Sequence, residues 1–324
     1  MKVLITGGGG FLGYRLAQAI ATRGHLIGHA GVEHAVTGIT LLDTTFPPEV
    51  DARFTCITGD LLAPGTLERA LGGDTASVFH LAAVVSGGAE ADFDLGMRVN
   101  LDGTRALLEA CRRLARPPRF VFASSVAAFG GALPAVLDDS TTPNPQTSYG
   151  MQKVVGEYLT AEYGRRGFVD GRGLRLPTIV VRPGKPNLAA SSFASGIIRE
   201  PLNGERSLCP VPDSTGVWML SPRKVVEAFV HAHELDSQAW GVNRVVNLPG
   251  MGVTVREMVD TLGRIAGKSV VDRIEFVTDE RIQRIVRTWP VNFRTDRALR
   301  LGFQADAGFE GIVRDFIDDQ GIKV

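Results

Sequence analysis

Residues 2–13, KVLITGGGGFLG, set the architecture of this chain. Lys2 to Thr6 is the short apolar run expected of a buried parallel strand, and Gly7, Gly8, Gly9 and Gly10 follow at once. From Tyr14 the periodicity turns helical, with Leu16, Ala17, Ile20 and Ala21 recurring until Arg23-Gly24 ends the run. Gly7, Gly10 and Gly13 stand three apart. In a strand-turn-helix unit the first permits a tight turn, the second lets backbone approach a pyrophosphate, and the third lets helix and strand pack closely. Four glycines in a row also make an ordinary turn. Their place between strand and helix is what points to a dinucleotide, with Phe11, Leu12 and Gly13 opening a helix whose free N–H groups and positive dipole end face the phosphates.

Downstream, Ile39 to Leu42 reads as a second strand ending in Asp43, whose carboxylate would accept hydrogen bonds from both adenosine ribose hydroxyls and repel a 2′-phosphate. Thr44 and Thr45 follow with no arginine, so NAD is expected rather than NADP. The interval from Gly13 to Asp43 exceeds the usual ~20 residues, and residues 24–38 are expected to form a surface excursion. Its histidines, His25, His29 and His34, lack cysteine or carboxylate companions in metal-ligand spacing, so no metal site is expected. Phe54 to Thr58 reads as a third strand, with Asp60 and Leu61 beyond it placed to meet an adenine edge or to cap a helix. Ser77 to Leu81 is a fourth, running into Ala82 and Ala83, whose small side chains would let the cofactor lie against backbone. Asn100, in the helical stretch MRVNLDGTRALLEAC, faces either the carboxyl ends of the sheet or solvent.

Tyr149 and Lys153 stand four apart in YGMQK and therefore share a helix face. A tyrosine of ordinary pKa, about 10, is a poor base near neutrality, and a fixed cation beside it favours the phenolate. Ser125, at the end of the apolar run Phe120 to Ala123, offers a hydroxyl to the same substrate oxygen. A Tyr-x-x-x-Lys pair alone also occurs as an exposed ring beside a solvated charge. Joined to a dinucleotide loop, it implies interconversion of a hydroxyl and a carbonyl by proton and hydride transfer.

TGGGGFLG at the start, HLAA at 80–83, VNLDGT at 99–104, FASSVAAFG at 122–130, YGMQK at 149–153 and DRALRLGF near the end together resemble the extended short-chain dehydrogenase/reductase family, relatives of nucleotide-sugar epimerases. The resemblance spans nearly the whole chain. It implies that Tyr149 is the general acid/base, that Lys153 lowers its pKa and holds the nicotinamide ribose, and that Ser125 orients the substrate oxygen. It also implies that Asn100 is the active-site helix asparagine, that Leu176, Pro177 and Thr178 pass the nicotinamide, and that helices at 98–114 and 149–165 pair in a homodimer. Within the family, residues Arg165 to Leu202 resemble a subgroup that oxidises a small sugar acid at its 2-hydroxyl with NAD. Val126 and Ala127 stand where a sugar dehydratase of the family carries an acidic pair, which disfavours dehydration.

The residues themselves fit a small anionic substrate. Arg182, Lys185 and Arg199 surround a serine-rich segment, and arginine binds a carboxylate through two parallel hydrogen bonds. Ser191, Ser192 and Ser195 supply hydroxyl partners for a polyol, so Arg182, Ser192 and Arg199 join Ser125 and Tyr149 as expected substrate contacts. Two rival functions use the same residues: a nucleotide-sugar epimerase, which would retain its NAD, and a non-catalytic NAD/NADH sensor, which would not need the proton relay.

The order βαβαβ in the first half implies an α/β, doubly wound parallel sheet of the Rossmann type, with ligands at the strand carboxyl ends. Residues 1–181 are expected to form the NAD-binding domain. Residues 182–324 are expected to form a smaller α/β substrate lobe, divided from it at Arg182-Pro183-Gly184-Lys185-Pro186, with one or two segments returning to the main sheet. Helices are expected near 193–200, 222–235 and 254–266. Lys+Arg and Asp+Glu balance at 35 each, so no overall field attracts nucleic acid or an anionic membrane. No run of about 20 apolar residues exists to span a bilayer, and the start of the chain flows into the glycine loop rather than a signal peptide. Three scattered cysteines, Cys56, Cys111 and Cys209, suggest no disulfide framework and a cytoplasmic setting.

Overall fold

A computed structural model of the chain describes residues 1–28, 31–186 and 189–323. The first half runs β1 (Lys2–Thr6), α1 (Phe11–Arg23), β2 (His25–Ile27), β3 (Glu33–Ala35), β4 (Gly38–Asp43), β5 (Phe54–Thr58) and α2 (Thr66–Ala70). It continues through β6 (Thr75–His80), α3 (Ser86–Ala91), α4 (Phe93–Gly96), α5 (Gly103–Arg112), β7 (Arg119–Ser125), α6 (Ser148–Arg165) and β8 (Asp170–Leu176). The second half begins β9 (Thr178–Ile179), α7 (Ser192–Leu202), β10 (Ser207–Cys209), β11 (Gly216–Leu220), α8 (Pro222–Glu234), α9 (Ser237–Trp240) and β12 (Val245–Asn247). It ends with β13 (Met251–Thr254), α10 (Val255–Ala266), α11 (Lys268–Val271), β14 (Ile274–Phe276), α12 (Glu280–Val286), α13 (Asp296–Arg300) and α14 (Phe309–Gln320).

Seven strands form one sheet in the order β12-β8-β7-β6-β1-β4-β5, and every neighbouring pair is parallel. A parallel sheet needs both faces covered, and the sequence of β1 shows how this is done. Val3 and Ile5 pack with Leu16 and Ile20 of α1 on one side, while Leu4 packs with Val78, Leu107 and Phe120 on the other. The chain winds outward from β1 through β4 to β5, then crosses back to β6 and winds the other way to β8 and β12. The expected doubly wound α/β sheet is therefore present, and its strand order reverses between β1 and β6, where a crevice opens at the carboxyl ends.

After β8 the chain leaves the sheet. β9 pairs with β11, which pairs antiparallel with β13. A second apolar cluster gathers Val180, Ile197, Ile198, Val217, Met219, Met258, Leu262, Ile312, Val313 and Phe316 from α7, α10, α14 and these strands. α8 returns to the main body, where Val225 and Phe229 join the cluster around β1, and β12 adds a strand beside β8. Among the described residues no helix is long and apolar enough to cross a membrane.

Two segments differ from the sequence expectation. The described part of 24–38 is not merely a surface loop: β2 and β3 form an antiparallel hairpin in which His25 pairs with Ala35, and Leu26 is fully buried in the core. His29 lies outside the described residues. The helix expected across MRVNLDGTRALLEAC is broken by a π-helical turn at Met97–Asp102 between α4 and α5, a device that turns a side chain off its regular face.

Candidate active site

The glycine loop is shaped by what a side chain would collide with. Gly7 adopts a φ of 71°, open to glycine and costly for other residues; a Cβ there would also meet Ala82 N at 2.7 Å. A Cβ on Gly13 would lie 2.1 Å from Gly7 O, so only glycine lets α1 start this close to the turn. A Cβ on Gly10 would meet only Gly7 O within 4 Å, at 3.2 Å, leaving the loop open on its other side. Gly10 caps α1 with no side-chain hydrogen bond, so the first-turn N–H groups are left to a ligand. Asp43, at the end of β4, accepts from Gly9 N at 3.0 Å and Thr44 N at 2.7 Å, which holds its carboxylate beside the loop. A cradle that a Cβ would fill and a carboxylate fixed at its end fit a dinucleotide.

The proton-handling residues are set by α6 and β7. Thr147 caps α6 by accepting from Gly150 N at 3.1 Å. A Cβ on Gly150 would lie 2.2 Å from Ala127 O, and one on Gly156 would lie 2.5 Å from the Phe122 ring. Both glycines let α6 press onto β7 and the turn that follows it. That approach sets the Ser125 hydroxyl beside the Tyr149 phenol, while Ser125 Oγ accepts from Ala127 N at 3.1 Å. Lys153 is buried, and its Nζ donates to Ala123 O at 2.8 Å and sits 5.5 Å from the centre of the Tyr149 ring.

The electrostatics depart from the expectation that Lys153 draws the phenol down. Burial pushes Tyr149 up to about 12, opposed by the Ser125 hydrogen bond. Burial also pulls Lys153 down to about 8, opposed by Glu157. The reason is geometric: the ammonium hydrogen-bonds a backbone carbonyl rather than the phenol oxygen, and burial is the largest influence on each group.

One cavity of about 420 Å³ at the crevice between β1 and β6 collects most of the expected residues: Gly7, Gly10, Phe11, Leu12, Gly13, Leu81, Ala83, Ser125, Tyr149, Lys153, Leu176, Pro177, Thr178 and Arg182. An open groove of about 810 Å³ on the outer side of α1, beside Tyr14, Arg15 and Asp319, is larger but carries none of the proton-handling side chains. Volume alone misleads here. Lys153 and Arg182 are the charged side chains lining the smaller cavity, and no carboxylate lines it among the described residues. Burial and the like charge of Arg199 lower the pKa of Arg182, and none of the described carboxylates pairs with it. The cavity thus presents a desolvated cation to any anion that enters.

Other expected residues lie elsewhere. The Asn100 side chain does not line the cavity; its Oδ1 accepts from Val84 N at 2.8 Å, and its Nδ2 donates to Val84 O at 3.0 Å and Gln152 Oε1 at 2.7 Å. The π-turn aims it at the loop after β6, which it ties to α6, so direct contact with reactants is replaced by a clamp. Arg199 also misses the cavity: it is buried, donates to Arg182 O at 2.7 Å and pairs with Glu200. Ser192 opens α7 without lining the cavity, whereas Ser191 and Ser195 line it, and Ser195 Oγ accepts from Arg182 N at 3.0 Å. Asp60 accepts from Leu62 N at 2.9 Å and pairs with Arg98, Leu61 is core, and Ala82 packs partly buried against that core. Trp218, Ile285, Trp289 and Pro290 form a wall that the sequence did not announce. They come from β11, α12 and the segment that follows α12, and no local pattern marks them.

The sequence profile of the NAD dependent epimerase/dehydratase family matches residues 3–242. A D-erythronate dehydrogenase from Cupriavidus necator is 56% identical over 323 residues, covering 99% of both chains. A D-erythronate dehydrogenase from Haemophilus influenzae is 43% identical over 98% of this chain and 99% of its own. The crystal structure of a nucleoside-diphosphate-sugar epimerase from Agrobacterium tumefaciens superposes with a TM-score of 0.92 at 42% identity, covering 100% of this chain and 95% of that one.

Proposed function

The chain belongs to the NAD dependent epimerase/dehydratase family, and from that premise we propose that it oxidises the 2-hydroxyl of a small sugar acid, D-erythronate to 2-oxo-tetronate. The observation that carries the proposal is the meeting of Ser125, Tyr149 and Lys153 with Arg182 in one cavity that has no carboxylate among its described lining residues. When bound, the oxidised nicotinamide supplies the hydride acceptor and a positive charge. The glycine loop, Asp43 and the Leu176–Thr178 segment would hold that cofactor, with Lys153 at its ribose. Arg182 Nη atoms take the substrate carboxylate, and Ser191 and Ser195 take its distal hydroxyls. Ser125 Oγ donates to the 2-hydroxyl oxygen. Tyr149 Oη, as phenolate, accepts the hydroxyl proton, the O–H electron pair left behind closes the C=O bond, and the C2–H pair would depart with its hydrogen as hydride to the oxidised nicotinamide.

Replacing Arg182 by Met tests the assignment of the carboxylate. A charge-assisted hydrogen bond is worth about 1.5–3 kcal/mol, so KM for the acid should rise about 10- to 100-fold while KM for NAD holds. An unchanged KM for the acid removes Arg182 from the substrate site.

The likeness at 42% identity to an epimerase supports a second reading, in which the same residues oxidise and re-reduce a nucleotide sugar. It predicts NAD retained through purification. The first predicts free exchange of NAD with every turnover.

A further inference from the structure

α6 carries a third ionisable side chain on the face of Tyr149 and Lys153. Glu157 stands one turn beyond Lys153, as Lys153 stands one turn beyond Tyr149. It is 4% exposed, and a carboxylate is rarely buried so deeply without partners. Arg175 donates Nε to its Oε1 at 2.8 Å and Nη2 to its Oε2 at 2.7 Å. Ser124 donates its hydroxyl to Oε1. Ser124 and Arg175 are register partners across β7 and β8, so one carboxylate joins the carboxyl ends of two strands to the helix. Arg175 is held in turn by Asn247 Oδ1 at 3.3 Å and lies 4.9 Å above the Phe129 ring. Neither Glu157 nor Arg175 lines the cavity.

Lys153 meets Tyr149 and Glu157 on its own helix, His80 from β6, and Arg175 of β8 behind Glu157. His80 is fully buried between Thr6 and Thr104, and burial first, then Lys153, lowers its pKa to about 3, so it brings no charge. Burial pulls Lys153 down to about 8, and Glu157 is the group that opposes this.

We propose that Glu157 is a positioning residue for proton transfer: it keeps Lys153 an ammonium over the working pH range and pins Ser124, and so the neighbouring Ser125, against α6. The inference rests on the reading of Tyr149 and Lys153 given above.

Glu157→Gln tests it through a readout that needs neither substrate nor cofactor. Lysine side chains labelled with ¹³C are titrated by NMR, and Lys153 is assigned by the signal lost in Lys153→Arg. The Lys153 midpoint should fall by about one pH unit, the scale set by one neighbouring opposite charge. Asn247→Ala loosens Arg175 but leaves Glu157 charged, and the midpoint should stay in place. A midpoint unmoved in Glu157→Gln, or moved equally in Asn247→Ala, overturns the proposal. If Glu157→Gln does not fold, the double variant Glu157→Gln/Arg175→Met removes both buried charges together; its midpoint should fall by less, because the more distant Arg175 cation goes with the nearer carboxylate, and a midpoint that does not fall overturns the proposal. In turnover, the alkaline limb of the pH profile should move down with the midpoint, and a limb that stays put while the midpoint moves also overturns it. Absence of wild-type turnover on every sugar acid would sink the substrate assignment alone, since the lysine titration still decides the role of Glu157.

Discussion

At the scale of single residues, the account turns on the charge state of Tyr149. Burial pushes its pKa up to about 12, so at neutral pH the phenol is protonated in nearly every molecule. A group with a raised pKa becomes a base only as pH rises toward it. Oxidation should therefore accelerate with pH up to about 8, where Lys153 begins to lose its proton and the alkaline limb sets in, while reduction of the 2-oxo acid by NADH, which uses the protonated phenol, should slow. Tyr149→Phe should lower kcat by at least the 10²–10⁴ expected of a positioned acid/base and erase this opposition. NAD binding, followed by calorimetry, should change little because the glycine loop is untouched. Retention of most of the turnover would remove Tyr149 from the mechanism.

At the scale of elements, the site depends on how closely α6 can approach β7. Gly150→Ala would put a Cβ 2.2 Å from Ala127 O, a backbone atom that cannot swing aside. The expected result is a folded protein, judged by an unchanged circular dichroism spectrum, whose kcat falls at least about tenfold because Ser125 and Tyr149 are parted by a few tenths of an ångström or more. Wild-type kcat would mean that the approach is not needed. This also shows what sequence could disclose. The glycine spacing and YGMQK were legible because each encodes its geometry within one turn or one helix. Asn100 was visible as a polar residue in a helix, but its clamp on Val84 depends on a π-turn that no propensity announces. Arg182 and Arg199 looked alike in sequence. Burial separates them, with one facing the cavity and the other spent on the first one's carbonyl and on Glu200. The Trp218, Ile285, Trp289 and Pro290 wall was hidden because it is assembled from segments far apart in the chain.

At the scale of the whole molecule, two bodies of packing share one cavity. The sheet supplies the glycine loop, Ser125 and, through the helix packed on it, the α6 residues, while the segment after β8, β11, α12 and the residues following α12 supply Arg182, the serines and the tryptophan wall. Main-chain bonds join the two: Leu137 N donates to Asn292 O at 2.9 Å, and Arg294 N donates to Leu137 O at 2.7 Å. The resemblance implies that the helices at 98–114 and 149–165 pair with a second copy, and Tyr158 stands 67% exposed on α6. Sedimentation should give twice the mass of 34.7 kDa, and a monomer mass at every concentration would contradict pairing. The central claim is tested most directly by following NADH formation with purified protein, NAD and a panel of sugar acids headed by D-erythronate and L-threonate. The account predicts turnover on D-erythronate; silence across the panel, with NAD found already bound to the purified protein, would contradict it and favour the epimerase.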